Sequence, residues 1–555
     1  MVRVISVHHF TSQNVQTLEQ PTACTTALPD RFLSALMSNC IEVRDLKNNA
    51  EVLFTFPTVD EVAQICYSLN GDYVATLESK FNRQNKEINF VRVYINWNSI
   101  ATLQQSKMTN SGVSLGSSEC GMVQPMRARI AGQVTPTSNQ SDLGSLEIIE
   151  IPVKRNPHGI ACCPITGNLL ILSNNVMNIY KFKLKTHDIS KMKFIDFDDT
   201  GLTIELTFEP IKIEMYENYI AAMNKNSMQL IKIYKNFGKE KRYKMKKNSS
   251  TEVPLHYNNP SPIDYEQLLK EEMSINNKGK LTINLASIVK ENSLVHKHSP
   301  FTFYDKDMIA NISSNSLENK LCQYRIENLI QLRLLPILIE NAQRHIIEEF
   351  KTFVLKPLYI EEVFNKLKKE TEKDNIFCSE FSKSLNSVSC MVATQQEGYL
   401  FHFDDPYSSA SIDNCIAVYP FTAPVFQLVM EDYILHALTE TGLESYTLRI
   451  GHKLCHSLCD IDNINVACPP ISDGICLVGL RPFLGVEQIL LSNNHLLLLA
   501  NADISPTHSI ASNSSSNAVY WTLYSLELPS PKTIFNDISI VASTHRFSSY
   551  KLTYI

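Results

Sequence analysis

Five stretches of the chain repeat one order of polar and apolar positions: a polar turn, a compact apolar run, a short gap, and a second run with an aromatic near its end. The first has Asn70-Gly71-Asp72, then Tyr73-Val74-Ala75-Thr76-Leu77, then Val91-Arg92-Val93-Tyr94-Ile95 and on to Trp97. The order recurs at Leu169-Leu170-Ile171-Leu172 with residues 178–183, and at Tyr219-Ile220-Ala221-Ala222-Met223 with residues 230–234. It returns at residues 433–438 with 444–448, and at His495-Leu496-Leu497-Leu498-Leu499-Ala500 with residues 519–524. A near-continuous apolar run of this length reads as a strand covered on both faces, and the alternating run after it as a half-exposed strand. Two looser copies lie at residues 31–36 with 41–46 and at 397–403 with 415–419.

A two-stranded hairpin cannot cover its own apolar face, so several must share a core, and radial repetition does this while shortening exposed edges. Seven hairpins predict an all-β chain, a seven-bladed β-propeller over residues 1–528. The alternative is a pair of β-sandwiches built from similar hairpins. An open ring would leave two unpaired strand edges, and Val2, Val4 and Val7 supply a short β-prone segment to pair with a terminal blade.

Four segments break the pattern. Residues 106–142, rich in Ser, Thr, Gln, Asn and Gly, predict a mobile loop within a blade. The run at residues 235–247 is strongly basic and opens a polar insertion to about residue 300; with only Tyr243 interleaved among the basic residues after Phe237 it reads as a solvated loop rather than an RNA or anionic-lipid site. Residues 330–336, ending at Pro336, predict an edge strand entering the next blade. Beyond it, Ile346, Phe350, Phe353 and Val363 at mixed three- and four-residue spacing predict a helical insertion over about 340–374. Finally Pro529-Ser530-Pro531 before Ile534, Phe535 and Ile538 predicts a short C-terminal helix start, with residues 529–555 opening a helical region.

Composition narrows the class. With 44% apolar residues in 555, the chain can bury a large core. Its 51 Lys and Arg against 57 Asp and Glu leave a net charge of -6, which gives no global drive toward nucleic acid. Glycine, 17 residues or roughly 3% against a typical 7%, is too scarce to serve every turn, so Asn and Asp are expected in left-handed positions. No early apolar run is long enough for a secretory signal and none later for a membrane span, and the 14 scattered cysteines include several inside strand patterns, as reduced thiols in the cytosol would be.

Candidate chemistry is sparse. His452, Cys455, His456 and Cys459 are spaced to share a helix face, and thiolate with imidazole suits zinc, but the spacing is not that of a finger or ribbon and no CxxC pair occurs. They read as incidental core and surface residues. The vicinal Cys162 and Cys163 lie on a strand approach where alternation turns one inward, and Asp404 and Asp405 sit at a hairpin turn. No HExxH or phosphate-binding glycine loop is present. The residues alone therefore support no cofactor and no metal ligand.

Several ordered strings, taken together, resemble the amino-terminal half of the Hermansky-Pudlak syndrome 3 protein family. They are Asn70-Gly71-Asp72-Tyr73 with Tyr94-Ile95-Asn96-Trp97-Asn98, Cys162-Cys163-Pro164-Ile165-Thr166-Gly167-Asn168, and Leu332-Arg333-Leu334-Leu335-Pro336. Gly398-Tyr399-Leu400, Ala467-Cys468-Pro469-Pro470-Ile471-Ser472 and Phe483-Leu484-Gly485 follow in order. The resemblance implies a propeller followed by helical repeats, of which only the start after Pro531 would be present. It also implies a non-enzymatic subunit of biogenesis of lysosome-related organelles complex two, cytoplasmic and peripheral to early endosomes, reaching membranes through its partners. Those partners would be the other Hermansky-Pudlak subunits, with clathrin and Rab-type small GTPases as further candidates. In the family a clathrin-box-like string stands where this chain has Phe194-Ile195-Asp196-Phe197-Asp198; Ile195, Phe197 and Asp198 match it, and Phe194 replaces a leading Leu. The same residues also read as an ordinary buried strand, with at least one ring in the core. Two rival functions stay open: a propeller hydrolase or lectin with its site in the axial funnel, and another coat or tethering propeller.

Overall fold

The computed structural model describes residues 3–4, 10–98, 127–133, 146–187, 193–236, 281–284, 300–303, 311–314, 323–334, 349–361, 383–404, 415–448, 476–483, 485–501, 520–530, 532–533 and 536. These residues form seven antiparallel sheets, each built on four strands. In chain order the first strands of the blades are Ala23–Ala27, Glu61–Ser68, Gly159–Cys162, Lys212–Tyr216, Thr352–Glu361, Val425–Met430 and Val486–Leu491. Each packs beside the first strand of the next blade, and that of blade 7 packs back on that of blade 1. The ring is closed, and two separate sandwiches are excluded.

Seven apolar clusters hold it, one at each interface between blades. Between blades 2 and 3, for example, Tyr73, Val93, Leu169, Ile171 and Phe197 share a core. This explains the repeated apolar run. It is the second strand of a blade, covered by a neighbour on each face, and Leu169–Ser173, Tyr219–Met223 and Ile434–Thr439 are buried at every position.

In six blades the hairpin read from the sequence is the pair of second and third strands. In blade 5 it is the third and fourth, Glu397–Asp404 and Cys415–Pro420, because the second strand Lys383–Ala393 carries three serines that hide its apolar face. The third strand of blade 6, Gly442–Thr447, is buried throughout rather than half exposed. Its polar residues are bonded internally: Tyr446 donates to Glu444 at 2.6 Å, and Ser445 meets His436 at 2.8 Å. Asn and Asp do occupy left-handed turn positions, among them Asp30, Asn39, Asp72 and Asn174.

Closure differs from expectation. The fourth strand of blade 7 is Gln13–Glu19, paired antiparallel along its length with Tyr520–Glu527, while Arg3–Val4 adds in parallel to the edge of blade 6 at Cys476–Arg481. Only Leu18 of Gln13–Glu19 is buried, so the strand carries no apolar pattern for a sequence reading to find. Within the predicted mobile loop, Arg127–Ile130 forms a fifth strand parallel to Glu147–Ile151 in blade 2. Gln323–Leu334 closes blade 4 as its fourth strand instead of entering blade 5. The predicted helical insertion is a misreading where it can be judged: Thr352–Glu361 is a strand. Its β-branched and aromatic residues suit that role, and Pro357 is tolerated because the innermost strand has one edge without a ladder.

From the basic insertion, Leu281–Asn284 and Pro300–Phe303 extend blade 4 and Asn311–Ser314 extends blade 3. The basic residues after Asn236, the His452 to Cys459 group, Asp405 and Ile534, Phe535 and Ile538 lie outside the described residues. At the C-terminal end, Thr533 N donates to Ser530 Oγ at 3.2 Å, a helix N-cap, and residues 532, 533 and 536 are helical. Among the described residues no helix is long and apolar enough to cross a membrane.

Candidate interaction face

Strand direction sorts the connections between two faces. First strands run toward one face, where they turn into second strands; third strands run the same way, so their connections to the fourth also lie there. On that face leave residues 99–126 of blade 2, 237–322 of blade 4, 362–382 and 405–414 of blade 5, and 449–475 of blade 6. The opposite face carries tight turns such as Met37 to Asn39, Asn174 to Asn175 and Asn224 to Asn226. Longer connections also open on that opposite face after Leu334, between blades 4 and 5, and after Asn501, within blade 7, so it is the plainer face and the first bears most of the insertions.

On the insertion-bearing face the first strands surround the mouth of an axial cavity of about 510 Å³. Leu28, Leu69 and Pro164, from the first turns of three successive blades, lie on its rim. Leu28 is 37% exposed, Leu69 47% and the neighbouring Ile165 40%, a crescent of aliphatic tips in solvent. The turns that present them are tied together. Asn70 N donates to Pro164 O at 2.9 Å and Asn70 Nδ2 to Ile165 O at 3.0 Å, while Tyr73 Oη donates to Gly167 O at 2.7 Å. Buried Asp30 likewise joins blade 1 to blade 7, accepting from Asn494 N at 3.2 Å and from Asn494 Nδ2 at 3.1 Å.

Gly71 and Gly167 complete the platform. Both have positive φ, and a methyl group on either would meet the Phe182 ring, at 2.5 Å and 2.8 Å respectively. Beneath the turns Tyr67 donates to Asp72 at 2.9 Å; burial pushes up the Tyr67 phenol, with the Asp72 charge adding to it, and burial also raises the Asp72 carboxyl. The Tyr67 phenol therefore stays protonated and the bond is kept.

The cavity offers little for acid–base chemistry. Among the described residues its one lining carboxylate, Glu214, accepts from Leu355 N at 2.9 Å and lies 3.2 Å from Lys212 Nζ. Among the described residues no group of His, Cys, Asp and Glu is disposed to hold a metal. Cys163 is buried, with Glu217 N donating to its sulfur at 3.0 Å, whereas Cys162 is half-buried on the cavity side.

Phe194 to Asp198 lie elsewhere, in Lys193–Glu205, the fourth strand of blade 3, laddered against Lys181 to Lys185. Phe197 is buried against Tyr73 at 5.3 Å between ring centroids, and the Arg129 guanidinium sits 5.5 Å over the Phe194 ring. Ile195 is half-buried, its carbonyl accepting from Arg129. Asp196 is fully buried and accepts from Lys185 at 2.6 Å, Gly132 N at 3.0 Å and Arg129 at 3.2 Å; Asp198 pairs with Lys183 and Lys185. Burial alone would raise the Asp196 carboxyl, but the Lys185 and backbone bonds outweigh it and hold it below the ordinary carboxylate range. None of these five residues reaches the crescent. The crescent itself escaped the sequence reading, because a single aliphatic residue in a polar turn carries no pattern; its one signal was the repeat of turns before each second strand.

The family model for the Hermansky-Pudlak syndrome 3 protein, N-terminal, matches residues 3–520 of this chain. The chain belongs to that family. A BLOC-2 complex member HPS3 from Mus musculus is 24% identical over 529 residues, covering 91% of this chain and 45% of the relative. A BLOC-2 complex member HPS3 from Homo sapiens is 20% identical over 587 residues, covering 98% of this chain and 51% of the relative. The chain thus spans about half the length of the curated relatives it matches. Two solved structures also match. The AfRom2 CNH domain is 7% identical with a TM-score of 0.31, covering 96% of this chain and 98% of that one. A functionally unknown protein from Desulfotomaculum acetoxidans is 10% identical with a TM-score of 0.33, covering 77% and 82%. The seven sheets and their closed ring, rather than those likenesses, define the fold of this family member.

Proposed function

We propose that this propeller is a non-catalytic interaction module of a complex for the biogenesis of lysosome-related organelles, cytoplasmic and peripheral to early endosomes, with other Hermansky-Pudlak subunits as partners. Family membership supports the setting, and the mouse and human relatives are by name members of the BLOC-2 complex. The observation that carries the role is the rigid aliphatic crescent of Leu28, Leu69 and Ile165 on the insertion-bearing face. Exposed aliphatic side chains held on hydrogen-bonded turns bind a partner without an ordering cost, which is what makes a preformed site tight. That Glu214, the one carboxylate lining the axial cavity among the described residues, is bonded at both oxygens supports binding over acid–base catalysis.

The test is affinity capture of a tagged full-length protein from cells, wild type against Leu69→Arg with Ile165→Arg. Partner subunits should be lost from the double variant while its circular dichroism and melting stay those of wild type. Retention of every subunit by the folded variant would reject the crescent as the docking site. Probing the captured material for clathrin and for Rab-type small GTPases reads those two proposed partners in the same experiment.

A further inference from the structure

We propose that Cys66 and Cys162 are a redox-responsive thiol pair, a site of reversible disulfide formation that staples the first strands of blades 2 and 3 at the mouth of the axial cavity. Cross-strand bonds set the register. Gln64 donates to His158 O at 3.1 Å and accepts from Ile160 N at 3.1 Å, Ser68 donates to Cys163 O at 3.1 Å, and Asn70 N donates to Pro164 O at 2.9 Å. Between these fixed points Cys66 falls opposite Cys162. Both side chains pack against the apolar cluster between blades 2 and 3, and the Cys162 thiol reaches Tyr67 O at 3.0 Å. Both side chains are half-buried and line the cavity, so a small oxidant can reach them. Cys163 is turned away and occupied by Glu217 N and Thr166 N.

The neighbouring Cys66 thiol, and then burial, push the Cys162 thiol up, so Cys162 serves as the resolving thiol and Cys66 meets the oxidant. With hydrogen peroxide as the oxidant, the Cys66 sulfur attacks one peroxide oxygen, the O–O bond breaks, and a sulfenic acid and water result. The Cys162 sulfur then attacks the Cys66 sulfur, the S–O bond breaks, and the departing hydroxide takes the Cys162 proton as a second water. Two thiols and one peroxide give one disulfide and two waters. A reducing thiol reverses it by exchange.

The experiment treats the purified full chain with hydrogen peroxide after removal of reductant, blocks remaining thiols with iodoacetamide, digests without reduction, and reads the peptides by mass spectrometry. Half-buried Cys40, beside Ser38 on blade 1, is the internal gauge of oxidant exposure. The expected result is a Cys66–Cys162 linked peptide that appears by the time Cys40 is consumed, disappears on dithiothreitol treatment, and is absent from Cys66→Ser and from Cys162→Ser. Finding both cysteines alkylated after Cys40 is consumed, Cys66 as sulfinic acid beside alkylated Cys162, or Cys66 linked to Cys163 would overturn the proposal.

Discussion

Replacing Asp196 with Ala removes the acceptor at the centre of the blade 3 edge. The carboxylate is buried, its side chain 1% exposed, and it takes bonds from Lys185, Gly132 N and Arg129 at 2.6, 3.0 and 3.2 Å. Breaking a buried ion pair from one side costs roughly 3–5 kcal/mol, because the other charge is left without its partner. Here the cations are not orphaned: Arg129 keeps Glu147 at 2.5 Å and Lys185 keeps Asp198 at 2.6 Å. The loss therefore belongs at the lower end, about 3 kcal/mol. At an unfolding entropy of about 2 cal/mol/K per residue, that lowers the melting midpoint of this chain by roughly 3 °C. The sign of the pH dependence follows from the depressed Asp196 carboxyl. Its stabilisation is fully present above the ordinary value of 3.8 and fades as pH falls through the lower folded-state value. Urea unfolding of wild type and Asp196→Ala, followed by circular dichroism from pH 7 downward, should show a gap that is constant near neutrality and closes below about pH 4. A gap under about 0.5 kcal/mol at pH 7, the size of an exposed pair, would refute the network's structural role.

Three further outcomes follow from the same contacts. Deleting residues 1–19 should lower the midpoint and the cooperativity of unfolding well beyond deletion of residues 1–9, since it removes the partner of Tyr520–Glu527; equal effects in calorimetry would contradict closure by Gln13–Glu19. Gly71→Ala should cost about 2 kcal/mol or more in thermal melting, because it combines a left-handed backbone with a 2.5 Å approach to Phe182, and an unchanged midpoint would show the turn to be adaptable. The intact protein should capture clathrin weakly or not at all through residues 194–198, since a ladder strand with Phe197 in the core is not an accessible linear motif. Robust capture by the intact protein, lost on Phe197→Ala with Asp198→Ala while the fold persists, would overturn that reading.

The blade count was legible because in six blades the second strand, pressed between two neighbours, writes a largely apolar run such as Leu496 to Leu499, and in blade 5 the third strand Glu397–Asp404 stands in for it. Outer strands expose a face and left no such record: Gln13–Glu19 buries Leu18 alone. Thr352–Glu361 was misread as helix because an innermost strand with a proline and mixed apolar spacing has neither clean period. For the candidate face the limit is of another kind. Leu28, Leu69 and Ile165 lie far apart in the chain and meet only because blades 1, 2 and 3 pack side by side, a contact between blades that no local pattern encodes.

The most direct test of the interaction-face account is cross-linking mass spectrometry on the full-length protein captured with its partner subunits. Lys47 and Lys193 are exposed beside connections on the insertion-bearing face, and Lys86, Lys154 and Lys225 are exposed on the plainer face. Links from partner subunits concentrated on Lys47 and Lys193 are the predicted result; links concentrated on Lys86, Lys154 and Lys225 would contradict it.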